Sequence, residues 1–168
     1  MGSIKRSKKY RWVELSHSLN NDSPYWAGIP EGSVELGPVC YDWGNEMLDC
    51  LIQTFKFPGQ FGTHIDFPGH FVKDRELSEN YGVKDLIFPL CVIDVTEKVK
   101  KNPTYVVTSA DIKDYEATYG PIPDGALVAL RTDWSKKWPD MDALSGTDAE
   151  GGENFPGWSM DALKYIYE

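Results

Sequence analysis

The longest apolar-rich run of the sequence is Leu86-Ile-Phe-Pro-Leu-Cys-Val-Ile-Asp-Val95, and a second run is Ala126-Leu-Val-Ala-Leu-Arg131. Short apolar runs bounded by turn or charged residues are typical of strands that are covered on both faces. We therefore expect both runs to form central β-strands. The longer run has about half of the roughly 20 apolar residues that a membrane span requires. Because Pro89 also interrupts it, we expect no transmembrane helix.

Two helices are predicted beside these strands. The first follows Thr108-Ser-Ala-Asp111, which resembles a capping box with Asp in place of Glu, and it ends at Gly120-Pro121. Its apolar positions are Ile112, Tyr115 and Tyr119. The second helix is predicted to begin at Ser159. Its apolar stripe comprises Met160, Leu163, Ile166 and Tyr167.

Two further strands are predicted nearer the N-terminus. Apolar and polar residues alternate in Val13-Glu-Leu-Ser-His-Ser-Leu19, and a turn is expected at Asn20-Asn-Asp-Ser-Pro24. A longer strand is predicted from Met47 to Phe57, where a Pro-Gly pair interrupts the pattern. Closer to the C-terminus, the Gly-rich acidic segment from Asp140 to Gly157 is long enough to be a mobile flap over a substrate.

The composition is that of a folded domain. The chain has 168 residues and a mass of 19.0 kDa, with 41% apolar and 13% aromatic residues. This length allows one ordinary domain, and the apolar content excludes intrinsic disorder. We expect a basic arm over residues 1–11 and a single domain over residues 12–168.

Charge is distributed unevenly along the chain. All 26 acidic residues lie from Glu14 onward, whereas five of the 17 positive residues lie in the basic arm. These five are Lys5, Arg6, Lys8, Lys9 and Arg11. Because an acidic body repels phosphate backbones and anionic membrane surfaces, we expect it to bind neither nucleic acid nor membranes.

The three cysteines, Cys40, Cys50 and Cys91, indicate a reducing compartment. Their odd number and the lack of a CxxC spacing fit small buried side chains better than a disulfide framework or a zinc ribbon. The basic arm also lacks the apolar segment of a signal peptide. We therefore expect a cytoplasmic protein, and we assign no cysteine as a nucleophile.

Candidate chemistry is concentrated in Gln60-Phe-Gly-Thr-His-Ile-Asp-Phe-Pro-Gly-His70. His64 and Asp66 are two residues apart, so their side chains project to the same side if the segment is extended. An imidazole nitrogen and a carboxylate oxygen suit Zn²⁺ or Mn²⁺, and Gln60 is placed to contribute a third group. The alternative that His64 and Asp66 only cap turns stays open from the spacing alone.

His70 follows a Pro68-Gly69 turn, which we expect to bring its ring near the water of such a metal site. A divalent ion lowers the pKa of a bound water and polarises a carbonyl group. A histidine accepts and returns a proton near neutral pH. The segment therefore predicts hydrolysis of an amide or ester, with His70 as general acid and base.

The run from Gly62 to His70 resembles the signature H-x-G-T-H-x-D-x-P-x-H of the cyclase family of metal-dependent hydrolases. This family includes bacterial kynurenine formamidases and isatin hydrolases. Leu15-Ser-His-Ser-Leu19 and Pro24-Tyr-Trp26 resemble its N-terminal L-S-H-x-L and P-x-W elements. Leu130-Arg-Thr132, with Trp134, resembles its inner strand. The resemblance therefore extends over nearly the whole chain.

The resemblance implies an α/β fold with a mixed sheet or barrel-like β core and flanking helices. It also implies a divalent metal, Zn or Mn, at His64 and Asp66, with His70 as the proton shuttle. The expected reaction is attack of metal-activated water on a small amide, formamide or lactone, such as an N-formylkynurenine-like or isatin-like compound. This chemistry belongs to tryptophan catabolism.

The sequence departs from the family pattern at two places. Gln60 stands where the signature has its first histidine, and an amide oxygen is the weaker ligand. Relatives also supply a later histidine and glutamate, but no histidine follows His70 here. We therefore expect either a shortened chain that lacks a C-terminal segment or a partner subunit that completes the site. The alternative function is a catalytically silent relative that binds a small molecule or forms oligomers.

Other candidate residues have weaker arguments. His17 is expected to have a structural role on its predicted strand. Four tryptophans offer walls for an aromatic substrate pocket, although core positions are the commoner use of this residue. These are Trp26, Trp43, Trp134 and Trp158, of which Trp26 is our substrate-binding candidate.

A homo-oligomer is expected because the apolar stripe around Met160 must be covered.

Overall fold

A computed structural model of the chain describes residues 11–44, 46 and 49–168. The chain forms two compact units, which join in sequence between Ile65 and Asp66. The predicted basic arm lies outside the described residues except for Arg11.

The first unit contains a β-hairpin. Strand β1 spans Glu35–Tyr41 and pairs antiparallel with β2, which spans Ile52–Lys56. The register shifts next to Gly37, whose φ of 87° is in the left-handed region that favours glycine. Strand β2 confirms the centre of the longer predicted strand, whose first residues, Met47 and Leu48, lie outside the described residues.

The prediction of a strand over residues 13–19 was wrong, because this segment pairs with no strand. The turn after it attaches to β1 through a side chain instead. The amide of Asn21 donates to the carbonyl oxygen of Leu36 at 3.0 Å, and its oxygen accepts from the Leu36 N–H at 2.7 Å. The predicted turn itself is confirmed, since the Ser23 N–H donates to the Asn20 carbonyl at 3.1 Å.

The second unit contains four strands and four α-helices among the described residues. The strands are β3 at Leu90–Asp94, β4 at Val106–Val107, β5 at Leu127–Arg131 and β6 at Gly157–Trp158. The helices are α1 at Thr96–Lys101, α2 at Ser109–Tyr119, α3 at Met141–Ser145 and α4 at Met160–Tyr167. Short 3-10 turns occur at Pro68–His70, Ser78–Asn80, Val83–Leu86 and Trp134–Lys137.

Strands β3 and β5 are parallel, and β4 is parallel with β6. Over the described residues the sheets are therefore three pairs of strands, and no barrel closes, because each strand has one hydrogen-bonded neighbour. The predicted α/β class is confirmed without the barrel-like core.

The two apolar runs form β3 and β5 as predicted, but their predicted central position was wrong, because over the described residues each strand pairs only with the other. The expectation that both faces are covered was wrong for β3. Burial alternates along β3, where Cys91 and Ile93 are buried and Leu90 remains 56% exposed. Ile93 packs in a core with members from α1, α2 and α4. This core comprises Ile93, Val95, Val99, Val107, Ile112 and Ala162.

The predicted helix boundaries of α2 and α4 are confirmed. The Thr108 N–H donates to the Asp111 carboxylate at 2.8 Å before α2, and Gly120, with a φ of 91°, ends this helix. The Ala162 N–H donates to the Ser159 hydroxyl at 3.0 Å at the start of α4.

No helix in the described ranges is long and apolar enough to cross a membrane.

The acidic segment from Asp140 to Gly157 is more structured than predicted. It contains α3, and its second half is held by the carboxylate of Asp148. This carboxylate accepts from the Gly152 N–H at 2.6 Å and from the Asn154 amide at 2.7 Å. Its role as a flap over a substrate stays a prediction.

Candidate active site

The signature segment is anchored in the first unit by an aromatic contact and a glycine turn. Phe61 is buried, and its ring centroid lies 5.8 Å from that of Phe57 and 6.2 Å from that of Tyr25. Gly62 follows with a φ of 67°. A Cβ atom at Gly62 would lie 2.6 Å from the Leu19 Cδ2, so the positive φ favours glycine and a side chain here would also have to displace the end of Leu19.

His64 is exposed, and a main-chain contact orients its ring. Its Nδ1 lies 2.8 Å from the carbonyl oxygen of Gly62. A carbonyl oxygen only accepts hydrogen bonds, so Nδ1 carries the proton of the neutral ring. The lone pair of the imidazole is therefore on Nε2, and a metal ion is bound through the nitrogen that carries this lone pair.

The second unit brings Asp66 and His70 together. The Nε2 of His70 lies 3.8 Å from the Oδ1 of Asp66, within ion-pair range and too long for a hydrogen bond. The 3-10 turn at Pro68–His70 positions the ring. A Cβ atom at Gly69 would lie 2.6 Å from the Arg75 carbonyl oxygen, so this turn requires a glycine as well.

The donor types of the predicted metal site fit a divalent cation. His64 offers a ring nitrogen and Asp66 a carboxylate, and the half-buried Gln60 offers an amide oxygen. Across residues 11–44, 46 and 49–168, no group of three or more His, Cys, Asp or Glu side chains is arranged to hold a metal ion. Gln60, the third member of the predicted set, is not one of these four residue types, and its role as a ligand stays a prediction.

The structure separates the tryptophan candidates into two pairs. Trp26 and Trp43 are exposed, and the ring of Trp26 is folded over the backbone of Gly28. Trp134 is half-buried, and its indole N–H donates to the Leu144 carbonyl at 2.8 Å. Trp158 belongs to β6 and packs on the core. Trp26 therefore remains available to a substrate, whereas Trp134 and Trp158 hold the fold.

Charged residues at the carboxyl ends of β3 and β5 form a cluster that the sequence analysis left unassigned. Arg131 lies opposite Asp94 in the register, and its Nη1 is 3.1 Å from the Asp94 Oδ2. Both side chains are about half exposed, so this is a surface ion pair. With Lys98 and Asp111, the pair lines a cavity of about 750 Å³. This cluster follows from the register of β3 and β5, which places Asp94 opposite Arg131, and this register cannot be read from the sequence alone.

Asp111 is a buried carboxylate with three kinds of donor. Burial by itself raises its pKa, but hydrogen bonds from Lys98, from the Thr108 N–H and from the Tyr105 hydroxyl outweigh burial, so the pKa lies below its usual value. The Tyr105 hydroxyl is 3.0 Å from the Asp111 Oδ1. Burial and the same hydrogen bond raise the pKa of Tyr105. Asp111 is thus ionised at neutral pH and has a structural role.

Comparison with known proteins places these observations in a family. The model of the Cyclase family matches residues 13–168. An isatin hydrolase from Roseibium aggregatum is 36% identical over 109 residues, which cover 62% of this chain and 41% of that protein. A kynurenine formamidase from Bacillus mycoides is 29% identical over 90 residues, which cover 53% of this chain and 41% of that protein.

Solved structures show the same fold. The crystal structure of an isatin hydrolase bound to the product analogue thioisatinate matches with a TM-score of 0.78 and 27% identity, covering 92% of this chain and 62% of that one. Isatin hydrolase A from Labrenzia aggregata, bound to benzyl benzoate, matches with a TM-score of 0.78 and 23% identity, covering 93% and 62%. The matched regions span 41% of the two curated relatives and 62% of these solved chains. Because the family match covers almost all of its length, this chain belongs to the Cyclase family.

Proposed function

We propose that this chain acts as a metal-dependent hydrolase of a small amide, formamide or lactone. The observation that carries the proposal is the pairing of His70 with Asp66, 3.8 Å apart, immediately after His64 in the sequence. The names of the relatives, isatin hydrolase and kynurenine formamidase, support cleavage of a C–N bond. Membership of the Cyclase family supports the same chemistry.

The proposed metal ligands are the Nε2 of His64, the carboxylate of Asp66 and the amide oxygen of Gln60. A divalent ion such as Zn²⁺ or Mn²⁺ supplies polarisation of the substrate carbonyl and a lowered pKa of its bound water. The Nδ1 proton of His64 supports this assignment, because the Gly62 carbonyl holds it 2.8 Å away. The remaining ligands that the resemblance implies, a later histidine and a glutamate, have no counterpart assigned in this chain.

His70 is the proposed general acid and base. Its imidazole accepts a proton from the attacking water and returns it to the leaving nitrogen. The Oδ1 of Asp66, 3.8 Å from the His70 Nε2, lies within ion-pair range of the ring. Pro68 and Gly69 hold the ring in place through the 3-10 turn that ends at His70.

Trp26 is the proposed substrate contact. Its ring lies over Gly28 and is 63% exposed, so one face of the indole is available for stacking. A planar aromatic amide, of the isatin or N-formylkynurenine type, is the substrate class that suits such a surface.

The proposed cytoplasmic location rests on the three cysteines, all of which are free thiols.

A second copy of the chain is the proposed partner. Met160 of α4 is 68% exposed, and Leu90 of β3 is also exposed. Large apolar side chains on the surface favour association with an apolar partner surface. A homo-oligomer covers them.

The test is hydrolysis of N-formylkynurenine and isatin with and without added Zn²⁺ or Mn²⁺, together with metal analysis. Wild type is compared with His64→Ala and, as a matched control, His17→Ala. We expect metal-dependent turnover in wild type and in the control, and loss of both metal and turnover in His64→Ala. Substrate binding without turnover at any metal concentration would instead support the alternative, a catalytically silent relative. Equal metal binding by wild type and His64→Ala would contradict the metal assignment.

A further inference from the structure

We infer that Gly62 is a positioning residue for His64: its carbonyl selects Nε2 as the His64 atom that donates to a metal ion. The inference rests on the proposed function and adds a residue to it. A neutral imidazole carries its proton on one nitrogen and its lone pair on the other. The 2.8 Å contact between Nδ1 and the Gly62 oxygen assigns the proton to Nδ1.

The orientation of this carbonyl depends on a backbone conformation that favours glycine. Gly62 has a φ of 67°, which residues with a side chain rarely adopt. Leu19 also occupies the space where a Cβ would be, with its Cδ2 2.6 Å and its Cδ1 3.0 Å from the ideal Cβ position. A side chain at position 62 must therefore change the local backbone or displace Leu19. The first of these changes turns the carbonyl away from His64.

The contact has two effects on His64 as a ligand. It restricts rotation of the ring, so less conformational entropy is lost when the ring binds an ion. It also fixes the tautomer of the ring, so that the lone pair is held on the nitrogen that faces away from Gly62. Loss of an outer-shell partner of this kind typically weakens metal affinity by about 10–100-fold.

The first measurement is the tautomer of His64 in the metal-free protein. Imidazole ¹⁵N NMR at a pH where the ring is neutral distinguishes the two tautomers, and His64→Gln assigns the signals among three histidines. We expect the Nδ1–H tautomer in wild type and a mixture or the Nε2–H tautomer in Gly62→Ala. The Nε2–H tautomer in wild type would overturn the inference, and so would an unchanged tautomer in Gly62→Ala.

Two glycines provide matched controls. Gly59 lies three residues before Gly62 with open space around its Cβ position and no positive φ, so Gly59→Ala should behave as wild type. Gly32 has a φ of 76° and equally open space, so Gly32→Ala introduces backbone strain without touching His64. If Gly32→Ala shifted the His64 tautomer as strongly as Gly62→Ala, a general loss of structure would be the cause and the inference would fail.

A rescue variant separates positioning from folding. Asn adopts positive φ more readily than Ala, and removal of the Leu19 side chain makes room for a Cβ. We expect the double variant Leu19→Ala/Gly62→Asn to recover the Nδ1–H tautomer at least in part. If Gly62→Ala does not fold, this variant and the wild-type spectrum decide the question. A folded double variant with the wrong tautomer would count against the inference.

The second measurement is direct titration with Zn²⁺. We expect Gly62→Ala to bind it about 10–100-fold more weakly than wild type. Unchanged affinity in Gly62→Ala, while His64→Ala loses the ion, would overturn the inference and leave the proposed metal site intact. If His64→Ala bound zinc as wild type does, the proposed metal site would fail instead, and the NMR result would still report whether Gly62 orients His64.

Discussion

The carboxylate of Asp111 accepts a hydrogen bond from the main-chain N–H of Thr108, 2.8 Å away, and so closes the first turn of α2 from inside the core. The same carboxylate forms an ion pair with Lys98 of α1 and accepts from the hydroxyl of Tyr105. Asp111 is only 5% exposed. One side chain thus joins α1, the residues before β4 and the start of α2.

Replacement of Asp111 should destabilise the fold. Asp111→Ala leaves the Thr108 N–H and the Tyr105 hydroxyl without this acceptor, and hydrogen bonds to a charged group each contribute about 1.5–3 kcal/mol. We expect the free energy of unfolding to fall by about 2–4 kcal/mol. Urea unfolding followed by circular dichroism measures this. Asp114→Ala, at an exposed position of the same helix, is the control and should change little. A loss below about 0.5 kcal/mol in Asp111→Ala would contradict the argument.

The contribution of Asp111 should depend on pH in a defined direction. Its pKa in the folded protein lies below the usual value of an aspartate, because the hydrogen bonds from Lys98, Thr108 and Tyr105 outweigh burial. Protonation is then less favourable in the folded than in the unfolded state. The stabilisation is present above the unfolded pKa, about 3.9, and is lost as the pH falls through the folded pKa. The difference in urea midpoint between wild type and Asp111→Asn should narrow below about pH 4. A constant difference down to pH 2 would show that the carboxylate charge is not responsible.

Gln60→His should tighten metal binding if Gln60 occupies a ligand position. Imidazole nitrogen is a better donor to Zn²⁺ than an amide oxygen. The matched control is Gln53→His, at an exposed position of β2. Isothermal titration with Zn²⁺ should show a tighter site in Gln60→His and wild-type affinity in the control. Equal affinity in all three proteins would place Gln60 outside the metal site.

His70→Ala should keep its metal and lose turnover. An amide expels its nitrogen only after protonation, and we assign this proton transfer to His70. The expected loss of turnover is about 10²–10⁴-fold on an amide substrate, with a smaller loss on a matched ester or lactone. Turnover of both substrates is measured together with metal content. Loss of the metal would make His70 a ligand, and unchanged turnover of both substrates would make it structural.

The chain should form a dimer or a larger assembly. Exposed apolar side chains at Met160 and Leu90 favour an apolar partner surface, and a second copy supplies one. Light scattering after size exclusion should give at least twice the 19.0 kDa of one chain. Met160→Glu should shift the population towards monomer, whereas Thr118→Glu, at an exposed position of α2, should not. A stable, monodisperse monomer of the wild-type chain would contradict this prediction.

Local sequence was sufficient for several elements because their signals lie within a few residues. The Thr108–Asp111 box and Ser159 mark helix starts through side chains that satisfy nearby main-chain groups. Gly120 marks a helix end through its positive φ.

The sequence by itself thus determined the helix boundaries, the two apolar strands and, through its signature, the family. Only the tertiary structure decided which apolar faces are covered, because burial depends on neighbours distant in sequence. Alternation in residues 13–19 produced no strand, and the turn that follows bonds Leu36 of β1 through the side chain of Asn21. The proton on the His64 Nδ1 was also beyond the reach of the sequence, because it follows from the direction of one carbonyl group, which depends on the backbone angles of Gly62 and the packing of Leu19.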